Sequence, residues 1–573
     1  MVRKTMLRDI IYLVTIVGIV IVLNILSNLF FTRFDLTSER RYTLSETSTE
    51  LLKGLDDVVY IKVYLDGELP AGFRRLRDGT REMLDEFRAY SNGNIEYEFI
   101  NPNNQPDEKS RNELYRQLAK KGLMPTNIQI KSEDGVEQKL IFPGAVMTYR
   151  GVETNLQLLK SQMGVAPEQM LNSSTEDLEY EITNAIRKVT SVKADRIGFI
   201  HGHGELNERQ VADFTGSLAE YYKVESVTIN GQLNSLVSRS EGDSGAVIFP
   251  KYKAIIIAKP DTAFSEKDKF MIDQYVMYGG RILWLVDPVF CQMDSLRYAP
   301  STLAVPTTYN LEDLLFRYGA RINTDLLQDV RCATIPGPAG YVGKQLQWAL
   351  QPWIFFPIVV PKTQHPIVRN LNGIKLEFTS SVDTVGKPNI KKTVLLSTSD
   401  KTRILRTPTQ VSLDVMLQEP KPEQFNKSNI PVAVLLEGEF ESVFKGRVTQ
   451  TIRDNSEIQF RTQSKETKMI VVSDGDIIRN YINPDGTYLP CGFDRYTNQQ
   501  FGNKTFLINA INYLCDDESL SAIRSRALEI RLLNRKKADT ERIKWQLINV
   551  AFPILLIILF GIINAYRRKK RYA

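Results

Sequence analysis

The chain has 573 residues, 43% hydrophobic and 24% charged; at roughly 100 to 200 residues per domain that excludes a single small module, and the apolar share excludes disorder over most of the length. Its net charge of +6 is unevenly placed, which matters more than its sum. Arg3, Lys4 and Arg8 against Asp9 make the first 31 residues +2, and Arg567, Arg568, Lys569, Lys570 and Arg571 make the last 28 +5, so residues 32–545 carry −1 and lack the basic face that nucleic acid requires.

After a short basic N-terminus (residues 1–9), residues 10–31 form 22 consecutive uncharged positions. As a helix they would span about 33 Å, enough to cross a bilayer. The exit, Asn28-Leu29-Phe30-Phe31, is too bulky for a signal-peptidase site and favours an uncleaved signal anchor.

Residues 32–192 alternate. VVYIKVYL (58–65) reads as a strand, Pro70 opens a helix with Phe73, Leu76, Met83, Leu84 and Phe87 at helical spacing, and NIEYEFINP (94–102) is the next strand. A helix over 108–120, strands over 127–131 and 138–149, and a helix over 175–189 complete the order βαβαββα, that of a thioredoxin-like layer. No cysteine lies in it, so thiol redox chemistry has no nucleophile there and the domain is expected to bind.

A second alternation fills residues 193–518: strand RIGFIHG, a glycine-rich turn, a helix over 207–222, strands VESVTI and YKAIIIAKP, a helix over 265–278, strand RILWLVDP, and a helix over 311–318. Continuous apolar strands such as AIIIA and ILWLV are what a parallel sheet covered on both faces requires, so the expected fold is a doubly wound α/β domain. The Pro-rich stretch 352–361 and the polar stretch 419–429 read as excursions. MIVVSDGD (469–476) returns to the core, followed by a helix over 504–515.

Residues 519–545 read as a charged juxtamembrane helix leading into a second apolar run, 546–566, and a basic tail, 567–573. Lys and Arg flank both runs on the outer side of each, which predicts cytoplasmic termini and a large domain beyond the inner membrane, in the periplasm of a bacterium. Asn24, Ser27 and Asn28 in the first run, and Asn549, Pro553 and Asn564 in the second, suit contacts with partner helices; near the membrane surface such residues are also tolerated alone. Cys291, Cys332, Cys491 and Cys515 have no metal-like spacing; Cys491 and Cys515 are either a bridge or free buried thiols.

Chemistry is sparse. His201, His203 and Glu205 in the loop His201-Gly202-His203-Gly204-Glu205 end a strand, where open α/β sheets bind ligands, and suit zinc; alternation with glycine is equally a tight turn with histidines donating to backbone. Asp474-Gly475-Asp476 and Asp287 end two other strands, where acids serve as nucleophiles or simply close turns. The segment GPAGYVGKQ (337–345) has the wrong spacing for a P-loop, and no nucleophile elbow or H-E-x-x-H is present. The residues proposed for ligand contact are therefore His201, His203, Glu205, Asp287 and Asp474, with no catalytic or metal residue and no cofactor assigned.

The run from Arg33 through Asp35-Leu36-Thr37 to Tyr42-Thr43-Leu44-Ser45, directly after the anchor, with VYLDGELPAGFRRLRDGTREMLDEF, EYEFINP and GHGE, resembles the gliding-motility-associated, substrate-binding-like auxiliary proteins of ABC transporters in Bacteroidetes. The resemblance implies a glutamine-amidotransferase-like large domain without its catalytic cysteine, an ABC permease partner (GldF-like) and a cytoplasmic ATPase (GldA-like). It implies a noncatalytic membrane-anchored subunit that binds a ligand or couples ATP-driven motion to the envelope. The alternatives are a metal-dependent periplasmic hydrolase built on His201, His203, Glu205 and Asp287, and a structural scaffold of the gliding or secretion machinery.

Overall fold

The computed structural model describes residues 12–20, 43–132, 135–160, 165–190, 195–229, 231–242, 245–342, 345–386, 389–418, 420–515 and 540–572. It is a mixed α/β structure that divides into two compact units, Met1–Ala527 and Leu528–Ala573. Of the first apolar run only 12–20 is described, and it is helical. Asn24, Ser27 and Asn28 lie outside the described residues, as does most of the expected juxtamembrane helix.

The first layer begins with α1 (Glu46–Lys53), which Ser45 caps by accepting the Ser48 amide. Leu44 beside it is buried, so the Thr43-Leu44-Ser45 end of the sequence signature is both a core contact and a helix start. There follow β1 (Val59–Val63), α2 (Ala71–Tyr90), β2 (Ile95–Phe99), α3 (Glu108–Lys120), β3 (Thr126–Ser132), β4 (Gly135–Ile141), β5 (Gly144–Tyr149), β6 (Val152–Gln157), α4 (Pro167–Glu176) and α5 (Leu178–Thr190). The sheet order is β2-β1-β5-β6, with β1 parallel to β2 and the other pairs antiparallel; β3 and β4 form a separate hairpin. The strand expected over 138–149 is two strands, broken at Pro143 where β4 leaves the hairpin and β5 enters the sheet. The helix expected over 175–189 begins at Leu178, because Asp177 closes α4 and accepts both of its bonds from the Asn370 amide nitrogen at 3.0 Å.

The second layer is a seven-stranded sheet. Its strands are β7 (Arg196–His201), β8 (Lys223–Thr228), β11 (Ala254–Ala258) and β12 (Arg281–Leu285), with a β9–β10 hairpin (Val237–Gly242, Gly245–Pro250) inserted, and, after a long β13–β14 hairpin (Cys332–Val342, Gln345–Val359), β15 (Lys391–Ser397), β16 (Pro431–Glu441) and β17 (Gln463–Val472). The order is β15-β16-β17-β12-β11-β7-β8; the five strands from β17 to β8 are parallel, and β15 and β16 pair antiparallel at one side.

All five residues of β11 are buried, and the two-residue period of a strand sends them to two cores. Ala254, Ile256 and Ala258 join Phe214 and Leu218 of α6 (Ala212–Leu218) and Phe506 and Leu507 of a later helix, Asn503–Cys515. Ile255 and Ile257 join Tyr275 and Val276 of α7 (Glu266–Met277) and Leu314 of α8 (Glu312–Tyr318). β12 and β17 alternate in the same way. The helix expected over 207–222 is only α6, because Asn207 and Gln210 exchange side-chain bonds to each other's amides at 3.0 and 3.1 Å and turn the chain first. The stretch 352–361 is no excursion: most of it belongs to β14 and buries Trp353, Phe355 and Phe356 in a cluster of its own.

In the second unit the chain is helical from Arg542 to Tyr572. Its residues 547–551 form a wide π turn just before Pro553, whose ring nitrogen has no hydrogen to give an α-type bond. Among the described residues, Arg542–Arg567 is the one helix long and apolar enough to cross a membrane. Asn549, Pro553 and Asn564 are all exposed on it.

Candidate functional site at the carboxyl edge of the sheet

From β7 the chain runs outward to β8, then returns to place β11 on the other side of β7. Connections diverge at that point, and the loops after β7 and β11 open a crevice at the carboxyl ends of the strands. A cleft of about 680 Å³ lies there, lined by Glu205 after β7, Lys259 and Asp261 after β11, Cys291 beyond β12, Asp476 after β17, and Arg479, Tyr481 and Arg495. A larger cavity of about 1030 Å³ beside α8 holds two ion pairs within its lining, Arg317 on Glu441 at 3.5 Å and Arg447 on Asp313 at 2.7 Å. The cleft at the strand ends is the better candidate, because the sheet focuses loops from four strands on it.

The loop after β7 is a folded lock. Gly202 and Gly204 adopt φ of +121° and +73°, and a Cβ at Gly204 would fall 1.4 Å from Asp261 Oδ1, so glycine is needed there. His203 is buried and stacks on Phe264 with centroids 3.7 Å apart. Its Nδ1 lies 3.3 Å from Glu205 Oε1 and its Nε2 3.3 Å from Asp268 Oδ2, while its amide donates to Glu205 Oε2 at 2.8 Å. Burial alone lowers the imidazole pKa, but Glu205 and Asp268 together outweigh it and raise it above the usual value. Both ring nitrogens are thus committed to carboxylates. His201 ends β7 half-buried and does not line the cleft; of the histidine–glutamate trio only Glu205 does.

A second lock ties the other strand ends together. Lys259, at a φ of +54°, reaches Asp287 Oδ2 at 3.0 Å and makes a short contact with Asp476. Asp287 also accepts a short bond from the Gly475 amide, and Asp474 accepts the amides of Glu377 and Asp476 at 2.7 and 2.8 Å. A side chain on Gly475 would meet Lys259 Cβ at 2.5 Å, so this glycine permits the close approach of the two loops. Burial raises the Asp287 carboxyl against the pull of Lys259, and raises Asp474 well above the carboxylate range with help from Asp287 and Asp476. For Asp476 burial is overcome by Lys259 and Arg479, which hold it low, and Lys259 in turn is raised.

This arrangement is built to hold charge in place. Lys259 stays protonated, unlike a nucleophilic or basic lysine, and Asp474 is fully buried. Cys291 lines the cleft, but burial pushes its thiol up to about 12, far from the thiolate that nucleophilic attack needs. Asp287 and Asp474 sit behind the cleft wall and not on it. Sequence reasoning missed Lys259, Asp268 and Asp476 as partners. The signal was available for Lys259, the first residue past the AIIIA strand, at the same sheet edge as the acids; Asp268 lies in the first turn of α7 and nothing in its spacing relates it to His203. The four cysteines form no disulfide.

The family described as an ABC-type uncharacterized transport system, an auxiliary component, matches residues 194–510, which is more than half of the chain. The chain belongs to this ABC transporter auxiliary family. The matched region starts just before β7 and contains every residue of the cleft and both locks. Membership implies association with ABC permease and ATPase components and suggests a noncatalytic subunit; the apolar C-terminal helix is consistent with membrane association. A domain of unknown function (DUF7088) matches residues 38–148, which span most of the first layer. No curated protein matches the auxiliary protein. A solved structure of the mmIFT52 N-terminal domain is similar at 13% identity and a TM-score of 0.31, covering 56% of this chain and 98% of its own.

Proposed function

We propose that this auxiliary protein is a noncatalytic, membrane-anchored periplasmic subunit of a gliding-associated ABC transporter of the GldG type, and that it holds a ligand in the cleft at the sheet's carboxyl edge. The observation that carries the reading is the locked cleft at the crossover point of the sheet within the auxiliary-family region: reactive groups are immobilised by mutual pairing, and the space in front of them is left open. The sheet order and directions of the first layer support a thioredoxin-like domain over residues 32–192, and the mixed sheet with helices on both faces supports a doubly wound, glutamine-amidotransferase-like domain over 193–518. The polar Asn549 and Asn564 and the helix-perturbing Pro553, exposed on the apolar helix, are the surface for permease helices; Asn24, Ser27 and Asn28 are the corresponding positions in the first run.

A polytopic permease (GldF-like) and a cytoplasmic ATPase (GldA-like) are the partners of this reading, since the chain carries no P-loop of its own. Purification of the full-length chain in mild detergent, with mass spectrometry of what accompanies it, is expected to recover both in a fixed ratio. A solitary protein under conditions that keep other ABC complexes together overturns the transporter reading.

A further inference from the structure

The cleft has two chemically different ends. One is the edge of the buried cluster around Trp353: Leu296, Ile335 and Phe356 belong to it, the partly buried Met293 and Leu413 pack against it, and all five line the cleft. Trp348, 60% exposed on β14, continues the same wall. A large aromatic left open beside an apolar cluster marks a contact surface more than chance exposure.

The other end narrows into a polar recess lined by Lys375, Glu377, Asp476, Arg479 and Tyr481. Its carboxylates are already engaged: Asp476 with Lys259 and Arg479, and Glu377 with Lys375 at 3.1 Å and the Tyr481 hydroxyl at 2.6 Å. The guanidinium groups of Arg479, in the recess, and Arg495, which lines the cleft, are not used up. Arg479 gives Nη1 to Asp476 at 3.3 Å and keeps a third of its side chain exposed. Arg495 lies over the rings of Tyr481 and Tyr496 at 5.3 and 4.8 Å and donates to the Tyr496 hydroxyl at 2.8 Å; among the described residues no carboxylate pairs with it. Guanidinium groups with spare donors in a fixed plane, that of Arg495 held by ring stacking, are suited to a carboxylate or phosphate.

We propose that the cleft binds an anionic amphiphile, its acidic head on Arg479 and Arg495 and its apolar body along Trp348 and Leu413. A volume of about 680 Å³ falls within the range of small-molecule sites. The inference rests on the reading of this chain as a ligand-holding subunit, and names the class of ligand. The head group and chain are common to a membrane lipid and to a soluble alkyl acid, and the test separates the two sources.

The full-length chain in nanodiscs of phosphatidylcholine is titrated with octyl phosphate by calorimetry, with empty discs as the blank. The expected result is saturable binding of one molecule per chain, weakened at least tenfold by Arg495→Gln and severalfold by Trp348→Ala; both residues are exposed, so the variants are expected to melt like the parent. Inorganic phosphate and 1-octanol are expected to bind at least tenfold more weakly. Equal binding of inorganic phosphate removes the apolar wall from the site, equal binding of octanol removes the arginines, and the absence of saturable binding removes the site; each overturns the proposal. With the site present, discs containing phosphatidic acid that displace octyl phosphate assign the source to lipid, and discs that do not assign it to a soluble acid. Co-purification of the permease and ATPase is scored separately, so the transporter reading stands if those partners are recovered while octyl phosphate fails.

Discussion

Lys259 is the residue on which the strand ends converge. It occupies a left-handed backbone position that costs a non-glycine residue about 1 kcal/mol, and its ammonium is held by two carboxylates from two different loops. Removing one member of a buried ion pair leaves the other uncompensated, at a cost of about 3–5 kcal/mol. Lys259→Met is therefore expected to lower unfolding stability by that amount in denaturant titrations. The deficit is expected to shrink on acidification, as Asp287 and Asp476 take up protons; a variant as stable as the parent at pH 7 would sink the lock.

His203 makes an independent prediction with the opposite pH sense. Its folded-state pKa lies above the ordinary 6.5 because Glu205 and Asp268 outweigh burial. A raised pKa stabilises the fold fully below the unfolded value, and that contribution is lost as pH rises through the folded value. The parent is expected to gain stability between pH 8 and pH 6 by an increment that His203→Gln lacks, measured as thermal midpoints of the solubilised chain. Identical pH profiles would show that the two carboxylates do not act on the ring.

At the scale of elements, the helix Asn503–Cys515 closes one face of the large sheet with Phe506, Leu507, Ala510, Ile511 and Leu514 all fully buried. Phe506→Ala is expected to cost about 3–5 kcal/mol, the usual range for an emptied aromatic site, and an unchanged denaturation midpoint would mean the helix is not part of the cooperative core. Elements with a strong periodic pattern were readable: the AIIIA and ILWLV runs signalled strands buried on both faces, and α2 was set by its apolar spacing. The β13–β14 hairpin was not, because Pro352 and Pro357 suggest a loop. In the structure Pro352 faces Thr334 and Pro357 faces Cys332, on either side of a register shift, and an irregular ladder of this kind tolerates the missing donors.

For the whole molecule, the basic tail and the apolar helix Arg542–Arg567 yield a topology test. A C-terminal green fluorescent protein fusion is expected to fluoresce and an alkaline phosphatase fusion at the same end to be inactive, whereas phosphatase inserted after Gly486, in a surface turn where the chain adopts φ +83°, is expected to be active. The reverse pattern would place the large domain in the cytoplasm and remove the periplasmic assignment.

Composition, charge placement and hydrophobic period determined the class of this protein without its coordinates: apolar runs near both ends, α/β layers between them, and acids and histidines at strand ends. Those properties are local, because a strand buried on two faces or a helix of about 20 apolar residues is written in consecutive positions. Which of those acids meet was decided only by tertiary structure. Lys259, Asp287 and Asp476 come from three separate loops, and His203 finds Asp268 across 65 positions, because sheet order brings together chain segments that the linear sequence keeps apart. The same packing turned most of the residues singled out for ligand contact into a supporting frame, and left Arg479, Arg495 and Trp348 facing the open cleft.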